Sequence, residues 1–339
     1  MPMTQTTAAP SPRRALPTVT PFEPAAGLRA PHAQTLYAHF LRPRWLPPVS
    51  RQRWELPDGD FVDVDVLRAR DDSQPRVLVL HGLEGSTRGS AYVASTLRHA
   101  ATRGWGAVAL NFRSCSGVDN RLPVSYNAGA TLDPLWVLRR LRAESRAPLV
   151  AVGFSLGANV LLKLLADEGD DAPVDAAVTV SAPYDLARCA AALDRWDSLT
   201  AAYRLRFVFG LRRKAHAKAS RHPGRIDLER IRRSLSLRDF DDAVTAPLHG
   251  YTGAADYYAR ASAGAASVAK IRRPTLLISA ADDPMVPEAS FPREAAAQNP
   301  FVVPALSRHG GHVGFVAGSL RAPHFWAEAT AIDWLAQVL

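Results

Sequence analysis

Short, uninterrupted runs of apolar residues recur along the chain, and segments with helical spacing separate them. Such runs are typical of strands buried on both faces of a parallel sheet, whereas a half-exposed strand alternates apolar and polar residues. Strands that alternate with helices predict a mostly parallel sheet flanked by helices. The sequence therefore predicts an α/β fold. The runs lie at residues 77–80, 106–110, 149–152, 177–180, 275–278 and 301–303.

Helices are predicted between several of these runs. Residues 93–101 have apolar side chains at helical spacing and end before Gly104, a common helix terminator. Asp133 and Pro134 predict a helix with the aspartate as N-cap and the proline at the first helical position. A final helix is predicted from about His324 to the end of the chain. Its inward-facing residues are predicted to be Phe325, Ile332, Trp334 and Leu335.

The pattern divides the chain into four segments. Residues 1–20, rich in Pro, Thr, Ser and Ala, predict a disordered tail. Residues 21–184 predict an N-terminal arm and the first part of the core. Residues 185–267 lack a buried-strand run and hold Arg-rich helical pieces, which predicts a helical cap inserted into the core. Residues 268–339 predict the second part of the core.

The segment before the first buried run has two features. Prolines alternate with aromatic and basic residues over 21–48, which favours an irregular arm lying on the core. Asp58 and Gly59 then form a turn signal between two strand-like stretches. Residues 62–66 alternate apolar and acidic side chains. We expect a β-hairpin at the sheet edge with one face exposed.

Composition favours a cytoplasmic protein. The 339 residues include only two cysteines, Cys115 and Cys189, which provide neither a disulfide framework nor a structural zinc site. No apolar run follows Arg13 and Arg14, so a signal peptide is not expected. No stretch has the length needed to span a bilayer.

The formal net charge of +9 does not by itself indicate a nucleic-acid partner. The excess comes from scattered arginines, and no helix-turn-helix, zinc-finger or RNP-like motif accompanies it. We therefore expect no nucleic-acid binding. The basic stretch at residues 211–214 has two interpretations: weak contact with anionic lipid headgroups, or a solvated helix face. The oligomeric state is not predicted.

The strongest motif is Gly-x-Ser-x-Gly at residues 153–157, directly between a buried run and a helical segment. This is the strand–turn–helix context of a nucleophile elbow, and it makes Ser155 the candidate nucleophile. A serine hydroxyl is a weak nucleophile and needs a sharp turn that presents it to a base at a helix N-terminus. An ordinary glycine-rich turn remains the alternative.

The carboxylate and the base should follow the serine in the order acid, then histidine. Asp282 and Asp283 lie just beyond the run 275–278, at the sheet edge where α/β folds gather active-site loops. We choose Asp283, because the turn Asp-Pro-x-Val-Pro fixes its side chain, and we expect Asp282 to cap the loop.

His312 is the candidate base, in a glycine-rich loop between the last strand and the last helix. His309 is the rival, with an expected surface or hydrogen-bonding role. The pair could also suggest a metal site, but no suitable third ligand lies nearby, so we expect no metal and no cofactor.

An acyl-transfer reaction also needs hydrogen-bond donors for the oxyanion. The backbone N–H of Leu156, directly after the nucleophile, is one candidate. The other is the N–H of Leu83, in the loop after the first buried run. His81 is expected to be a buried histidine that bonds the loop backbone. Cys115 is expected to be a small buried residue rather than a reactive thiol.

With these residues in place, the chain resembles the AB-hydrolase type 4 family, the YheT-like hydrolases. The resemblance covers nearly the whole chain after the tail. It implies an α/β-hydrolase fold with carboxylesterase-type activity, and relatives in the family are linked to medium-chain acyl esters, phospholipids and ester synthesis. Three positions depart from the family pattern: Ser114 and Ala158 replace glycine, and Asn127 replaces histidine. The blocks that carry the resemblance are residues 31–35, 81–86, 111–117, 153–159, 240–258 and 310–315.

We therefore expect a serine hydrolase that cleaves carboxylic esters, either short- to medium-chain or lipid-like, through an acyl-enzyme on Ser155. An acyltransferase, in which an alcohol outcompetes water, is one alternative. A non-catalytic hydrolase-fold binding protein is another.

Overall fold

The described strands form an eight-stranded sheet whose central part is parallel. The computed structural model describes residues 15–195 and 198–339. The strands are β1 (Ser50–Glu55), β2 (Phe61–Leu67), β3 (Arg76–Leu80), β4 (Gly106–Leu110), β5 (Leu149–Phe154), β6 (Ala176–Val180), β7 (Thr275–Ala280), β8 (Val302–Ser307), β9 (Val316–Gly318) and β10 (Pro323–Phe325). Their order in the sheet is β1-β2-β4-β3-β5-β6-β7-β8, while β9 and β10 pair separately. Among the described strands of the large sheet, only the β1–β2 and β2–β4 pairs are antiparallel. The predicted fold class is confirmed.

Helices connect the parallel strands, because neighbouring parallel strands need a long crossover connection, which is usually a helix. They are α1 (Pro31–Leu41), α2 (Ala91–Thr102), α3 (Leu132–Glu144), α4 (Leu156–Glu168), α5 (Leu186–Leu193), α6 (Ser198–Arg221), α7 (Leu228–Arg233), α8 (Leu237–Phe240), α9 (Ala246–Leu248), α10 (Ala254–Ala261), α11 (Ala265–Val268), α12 (Arg293–Gln298) and α13 (Trp326–Val338). A π-helical turn, Asp241–Thr245, joins α8 to α9. Helices α5 to α11 lie between β6 and β7, where the sequence predicts the cap; the limits of that cap stay a prediction.

The core fills both faces of the sheet. Val77 and Val79 of β3 pack in a cluster with α2 and α13, whereas Leu78 and Leu80 pack on the other side with α3 and α4. All four side chains are fully buried. Burying one such side chain contributes about 1.5–3 kcal/mol. Burial on two faces explains why these strands are continuously apolar.

The predicted hairpin forms, but the expectation of an exposed face was wrong for its second strand. β1 is the edge strand, and β2 lies between β1 and β4. Asp63 and Asp65 of β2 are buried. Arg53 binds the two carboxylate oxygens of Asp63 at 2.9 and 3.0 Å, and Arg51 binds both oxygens of Asp65. Paired charges can be buried, and alternation of charge along the sequence does not reveal the pairing.

The N-terminal arm contains a helix, α1, where an irregular segment was expected. Pro31 occupies its first turn, where the missing backbone N–H costs nothing. The Gln34 side chain is fully buried, donates to the Val316 carbonyl at 3.1 Å and accepts from the Val316 N–H at 2.6 Å. These bonds tie the arm to the segment that follows His312.

The predicted tail of residues 1–20 is too long at its C-terminal end. Residues 1–14 lie outside the described residues. The Pro17 carbonyl accepts a hydrogen bond from Trp334 Nε1 at 2.7 Å, and Val19 packs against the cluster of α2 and α13. Residues 17–19 therefore belong to the folded part of the chain.

Two predicted helix starts are displaced by two residues. Helix α3 begins at Leu132, and Asp133 does not cap it but binds Arg113 with both oxygens at 2.7 Å. Helix α13 begins at Trp326 because the preceding three residues form β10, which pairs with β9. The residues predicted to face inward there are all buried: Phe325, Ile332, Trp334 and Leu335.

Candidate active site

Ser155 lies on a sharp turn between β5 and α4. Its φ is 51°, a conformation that residues with a side chain rarely adopt. Close packing requires the flanking glycines: a Cβ on Gly153 would lie 2.6 Å from the Gly157 carbonyl oxygen, and one on Gly157 would lie 2.5 Å from the His81 carbonyl oxygen. The turn leaves the Ser155 side chain at the carboxyl end of the sheet and at the N-terminus of α4.

Three predicted site residues form a hydrogen-bonded line. Nε2 of His312 lies 2.9 Å from Oγ of Ser155, and Nδ1 of His312 lies 2.8 Å from Oδ2 of Asp283. A carboxylate can only accept, so Nδ1 carries the proton and Nε2 is free to accept the serine proton. This is the arrangement in which an imidazole can act as a general base toward a hydroxyl.

Asp283, rather than Asp282, reaches this imidazole. The second oxygen of Asp283 accepts hydrogen bonds from the backbone N–H groups of residues 285 and 286, at 2.8 and 3.0 Å. Its side chain is only 2% exposed. Asp282 instead accepts from the Gly311 N–H at 2.9 Å and lies 3.3 Å from His309 Nδ1. The alternative residues, Asp282 and His309, thus form a separate pair that supports the loop.

Two hydroxyl side chains that were not predicted from the sequence hold the loop that carries His312. Oγ1 of Thr35, in α1, accepts from the His312 N–H at 2.9 Å. Oγ of Ser181, just after β6, accepts from the Val313 N–H at 3.1 Å. Thr35 lies in one of the sequence blocks that carry the family resemblance, which is the signal that could have identified it. Ser181 has no comparable signal.

The loop after β3 leaves one backbone donor free beside the serine. The N–H of Gly82 donates to the Tyr92 hydroxyl, that of Glu84 to the Tyr126 hydroxyl, and that of Gly85 to the Gly82 carbonyl. Leu83 N–H has no acceptor among the described residues, and neither has Leu156 N–H. A Cβ on Gly82 would lie 3.0 Å from the Ser155 Cβ, so this loop touches the serine.

His81 has the structural position expected of it. It is fully buried, its Nε2 accepts from the Phe112 N–H at 3.2 Å, and its Nδ1 donates to the Gly82 carbonyl at 2.8 Å. Burial lowers its pKa to about 4, so the ring is neutral at physiological pH. Its two hydrogen bonds hold the loop that carries Leu83.

A partly buried ion pair, which was not predicted from the sequence, joins the cap to this loop. Lys214 Nζ of α6 lies 2.7 Å from Oε1 of Glu84, which also accepts from the Tyr126 hydroxyl at 2.9 Å. Of the basic stretch 211–214, Lys214 therefore faces inward and only Arg213 is exposed. Weak contact of this stretch with anionic lipid headgroups stays a prediction.

A largely apolar pocket extends from Ser155 and His312 under the cap. One of its lining residues is Asp241, whose oxygens accept from the hydroxyls of Thr245 at 2.6 Å and Tyr258 at 2.8 Å. Burial raises the pKa of Asp241 to about 6. Apolar lining residues include Leu186, Leu193, Phe207, Leu211, Leu237, Phe240, Val244, Leu248, Met285 and Val286.

Two of the departures from the family pattern lie beside this pocket. Ser114 lines it and adopts a φ of 61°, a conformation that glycine adopts without strain. Asn127 also lines it, and its side-chain oxygen accepts from the Gly129 N–H at 2.7 Å. Ala158, the third departure, is fully buried in α4.

The remaining candidates lie outside this chemistry. Cys115 is buried, and burial raises the pKa of its thiol to about 11, so it is not a reactive thiolate. Within residues 15–195 and 198–339, no group of three or more His, Cys, Asp or Glu side chains is arranged to hold a metal ion. Across the same ranges, every helix is either too short or too polar to span a bilayer.

Comparison with known proteins establishes the family. A family model described as the alpha/beta hydrolase fold matches residues 75–318. A candidate esterase of Escherichia coli (strain K12), YheT, is 41% identical over 323 residues, covering 94% of each chain. The chain belongs to the YheT-like α/β hydrolases. A more distant relative, the phospholipase ABHD3 of Mus musculus, is 29% identical over 302 residues, covering 84% of this chain and 71% of that protein.

Solved structures share the fold of this YheT-like hydrolase at low sequence identity. An esterase from Pyrococcus furiosus superposes with a TM-score of 0.56 and 15% identity, covering 96% of this chain and 99% of that chain. At this identity the similarity extends to the architecture alone.

Proposed function

We propose that this YheT-like hydrolase is a serine esterase that cleaves carboxylic esters through an acyl-enzyme on Ser155. The observation that carries the proposal is the hydrogen-bonded line from Ser155 Oγ through His312 to Asp283, at 2.9 and 2.8 Å. This geometry matches the serine–histidine–aspartate arrangement of acyl-transfer enzymes. Ser155, His312 and Asp283 are the proposed catalytic residues.

The reaction follows from the positions of the donors. Ser155 Oγ attacks the ester carbonyl carbon while His312 Nε2 takes the hydroxyl proton, and Asp283 stabilises the resulting imidazolium. The N–H groups of Leu83 and Leu156 receive the oxyanion. His312 then gives its proton to the leaving alcohol, which leaves an acyl group on Ser155. Water, deprotonated by the same imidazole, attacks that acyl group, and the acid leaves as Ser155 regains its proton.

The substrate class follows from the pocket and the relatives. Most of the side chains that line the pocket are apolar, which suits the hydrocarbon part of a short- to medium-chain or lipid-like ester. The named relatives, an esterase candidate and a phospholipase, support ester substrates. No metal or other cofactor is required for this chemistry.

The proposal is tested with a fluorophosphonate probe and a series of p-nitrophenyl esters of increasing chain length. We expect wild-type protein to be labelled and to hydrolyse the esters, and Ser155→Ala to do neither. Ser125→Ala is the matched control, because Ser125 lines the same pocket without bonding to the three proposed catalytic residues. Labelling that persists in Ser155→Ala would refute the assignment, and a wild type with neither labelling nor turnover would favour a binding protein.

A further inference from the structure

The outer face of helix α6 carries large apolar side chains that no other part of the described chain covers. Leu199, Leu205 and Phe209 are 45%, 56% and 73% exposed. Arg206 and Arg213 are exposed beside them. At 100° per residue, these five positions fall within an arc of about 120°. We call them the outer stripe of α6.

The opposite face of the same helix lines the pocket. Phe207, Leu211 and Ala215 all contribute to the pocket wall. Helix α6 is therefore the partition between the pocket and the surroundings of the protein. Whatever covers the outer stripe lies one helix diameter, about 10 Å, from the pocket interior.

The end of helix α1 extends this surface. Nε2 of His39 lies 3.1 Å from Nη1 of Arg206, which brings the two helices together. The next two residues of α1, Phe40 and Leu41, are 63% and 60% exposed. Large apolar side chains of both helices are thus exposed close to the contact between His39 and Arg206, and such clustering on a surface marks an interaction site.

Charge identifies the kind of partner. The charged residues of the outer stripe are Arg206 and Arg213, helix α6 contains no acidic residue, and the whole chain has a formal net charge of +9. A second copy of this chain would bring the same cations to the interface, which disfavours self-association. On an anionic bilayer, Leu205 and Phe209 can insert among the acyl chains just below the headgroups. Arg206 and Arg213 can bind the negatively charged headgroups.

We propose that the outer stripe of α6, together with Phe40 and Leu41, docks on the surface of a membrane that contains anionic lipids. The cap side of the pocket then faces the bilayer, which is a source of lipid-like esters. The docking itself does not depend on the proposed reaction, because it is measured as vesicle binding without turnover.

The test is flotation with vesicles of phosphatidylcholine, alone or mixed with phosphatidylglycerol. We expect wild-type protein to float with the mixed vesicles. The double variant Leu205→Ser/Phe209→Ser should bind at least about tenfold more weakly, since it loses two apolar insertions. The control is Leu132→Ser, which removes a leucine that is 77% exposed on α3 and belongs neither to the outer stripe of α6 nor to α1. It should bind as wild type does.

A second variant separates charge from apolar contact. Arg206→Gln/Arg213→Gln should weaken binding to the mixed vesicles and reduce its dependence on salt concentration.

Leu205 and Phe209 do not line the pocket, so their variant should keep wild-type circular dichroism and wild-type hydrolysis of a water-soluble ester. Failure of the wild type to bind either vesicle, or equal binding by the Leu205/Phe209 variant, overturns the proposal. A dimer that the same variant disrupts, without vesicle binding, assigns the surface to a second copy and overturns it too.

Discussion

Lys214 of α6 and Glu84 of the loop after β3 form an ion pair at 2.7 Å that joins the cap to the backbone beside Ser155. Glu84 directly follows Leu83, whose N–H is a proposed oxyanion donor. Glu84 has a φ of 55°, and its own N–H is bound by the Tyr126 hydroxyl. The position of the cap helix therefore influences where the Leu83 N–H points.

Lys214 is accordingly expected to be a positioning residue. Lys214→Met should lower kcat for a p-nitrophenyl ester roughly tenfold, because a displaced donor stabilises the oxyanion less. KM should change by less than about threefold, since ground-state binding in the apolar pocket is retained. The control is Lys163→Met, which breaks a surface ion pair with Asp167 on α4. Equal kinetic effects of the two substitutions would contradict the linkage.

Because of Asp241, the free energy of unfolding should fall as the pH rises through the range in which this carboxyl group loses its proton. Its pKa is raised to about 6, so the folded state binds its proton more tightly than the unfolded state does. This contribution to the free energy of unfolding is fully present below about pH 4 and is lost as the pH rises through 6. Relative to Asp241→Asn, wild-type protein should lose on the order of 2 kcal/mol between about pH 4 and pH 7.

Urea unfolding at a series of pH values measures this difference. Asp167→Asn is the control, because Asp167 lies at the surface of α4. Parallel pH curves for wild type and Asp241→Asn would show that the Asp241 carboxyl has an ordinary pKa.

Gly157 is predicted to be intolerant of any side chain. A Cβ there would lie 2.5 and 2.6 Å from the carbonyl oxygens of His81 and Leu80, and backbone atoms cannot move aside cheaply. Gly157→Ala should therefore lower the free energy of unfolding by about 3 kcal/mol or more. Gly224→Ala is the control, because no atom lies within 4 Å of the added Cβ and only the positive φ of 78° is unfavourable. It should lower the free energy of unfolding by about 1 kcal/mol. Equal losses in the two variants would argue against this packing.

Features encoded locally were predictable from the sequence. Buried parallel strands are continuously apolar, so residues 149–152 and 275–278 identified their strands, and the glycines around Ser155 indicated a tight turn. The choice of Asp283 over Asp282 depended on one local turn, and the structure brings Asp283 to the imidazole.

Features that depend on distant partners were not predictable. Asp63 looked exposed because its neutralising arginine, ten residues away, cannot be identified from alternation alone. Lys214 looked solvated because its partner Glu84 lies 130 residues earlier. The prolines around α1 concealed a helix whose anchor, Val316, is 282 residues distant from Gln34. The cytoplasmic location and the limits of the cap stay predictions.

The most direct test of the proposed mechanism is kcat/KM for ester hydrolysis by Ser155→Ala, His312→Ala and the double variant. If hydroxyl and imidazole act as one unit, each single variant should lose at least about 10³-fold, and the double variant should lose no more than about threefold beyond that. The proposed mechanism would be contradicted if Ser155→Ala retained about a tenth or more of wild-type kcat/KM. It would also be contradicted if the loss in the double variant equalled the product of the two single losses.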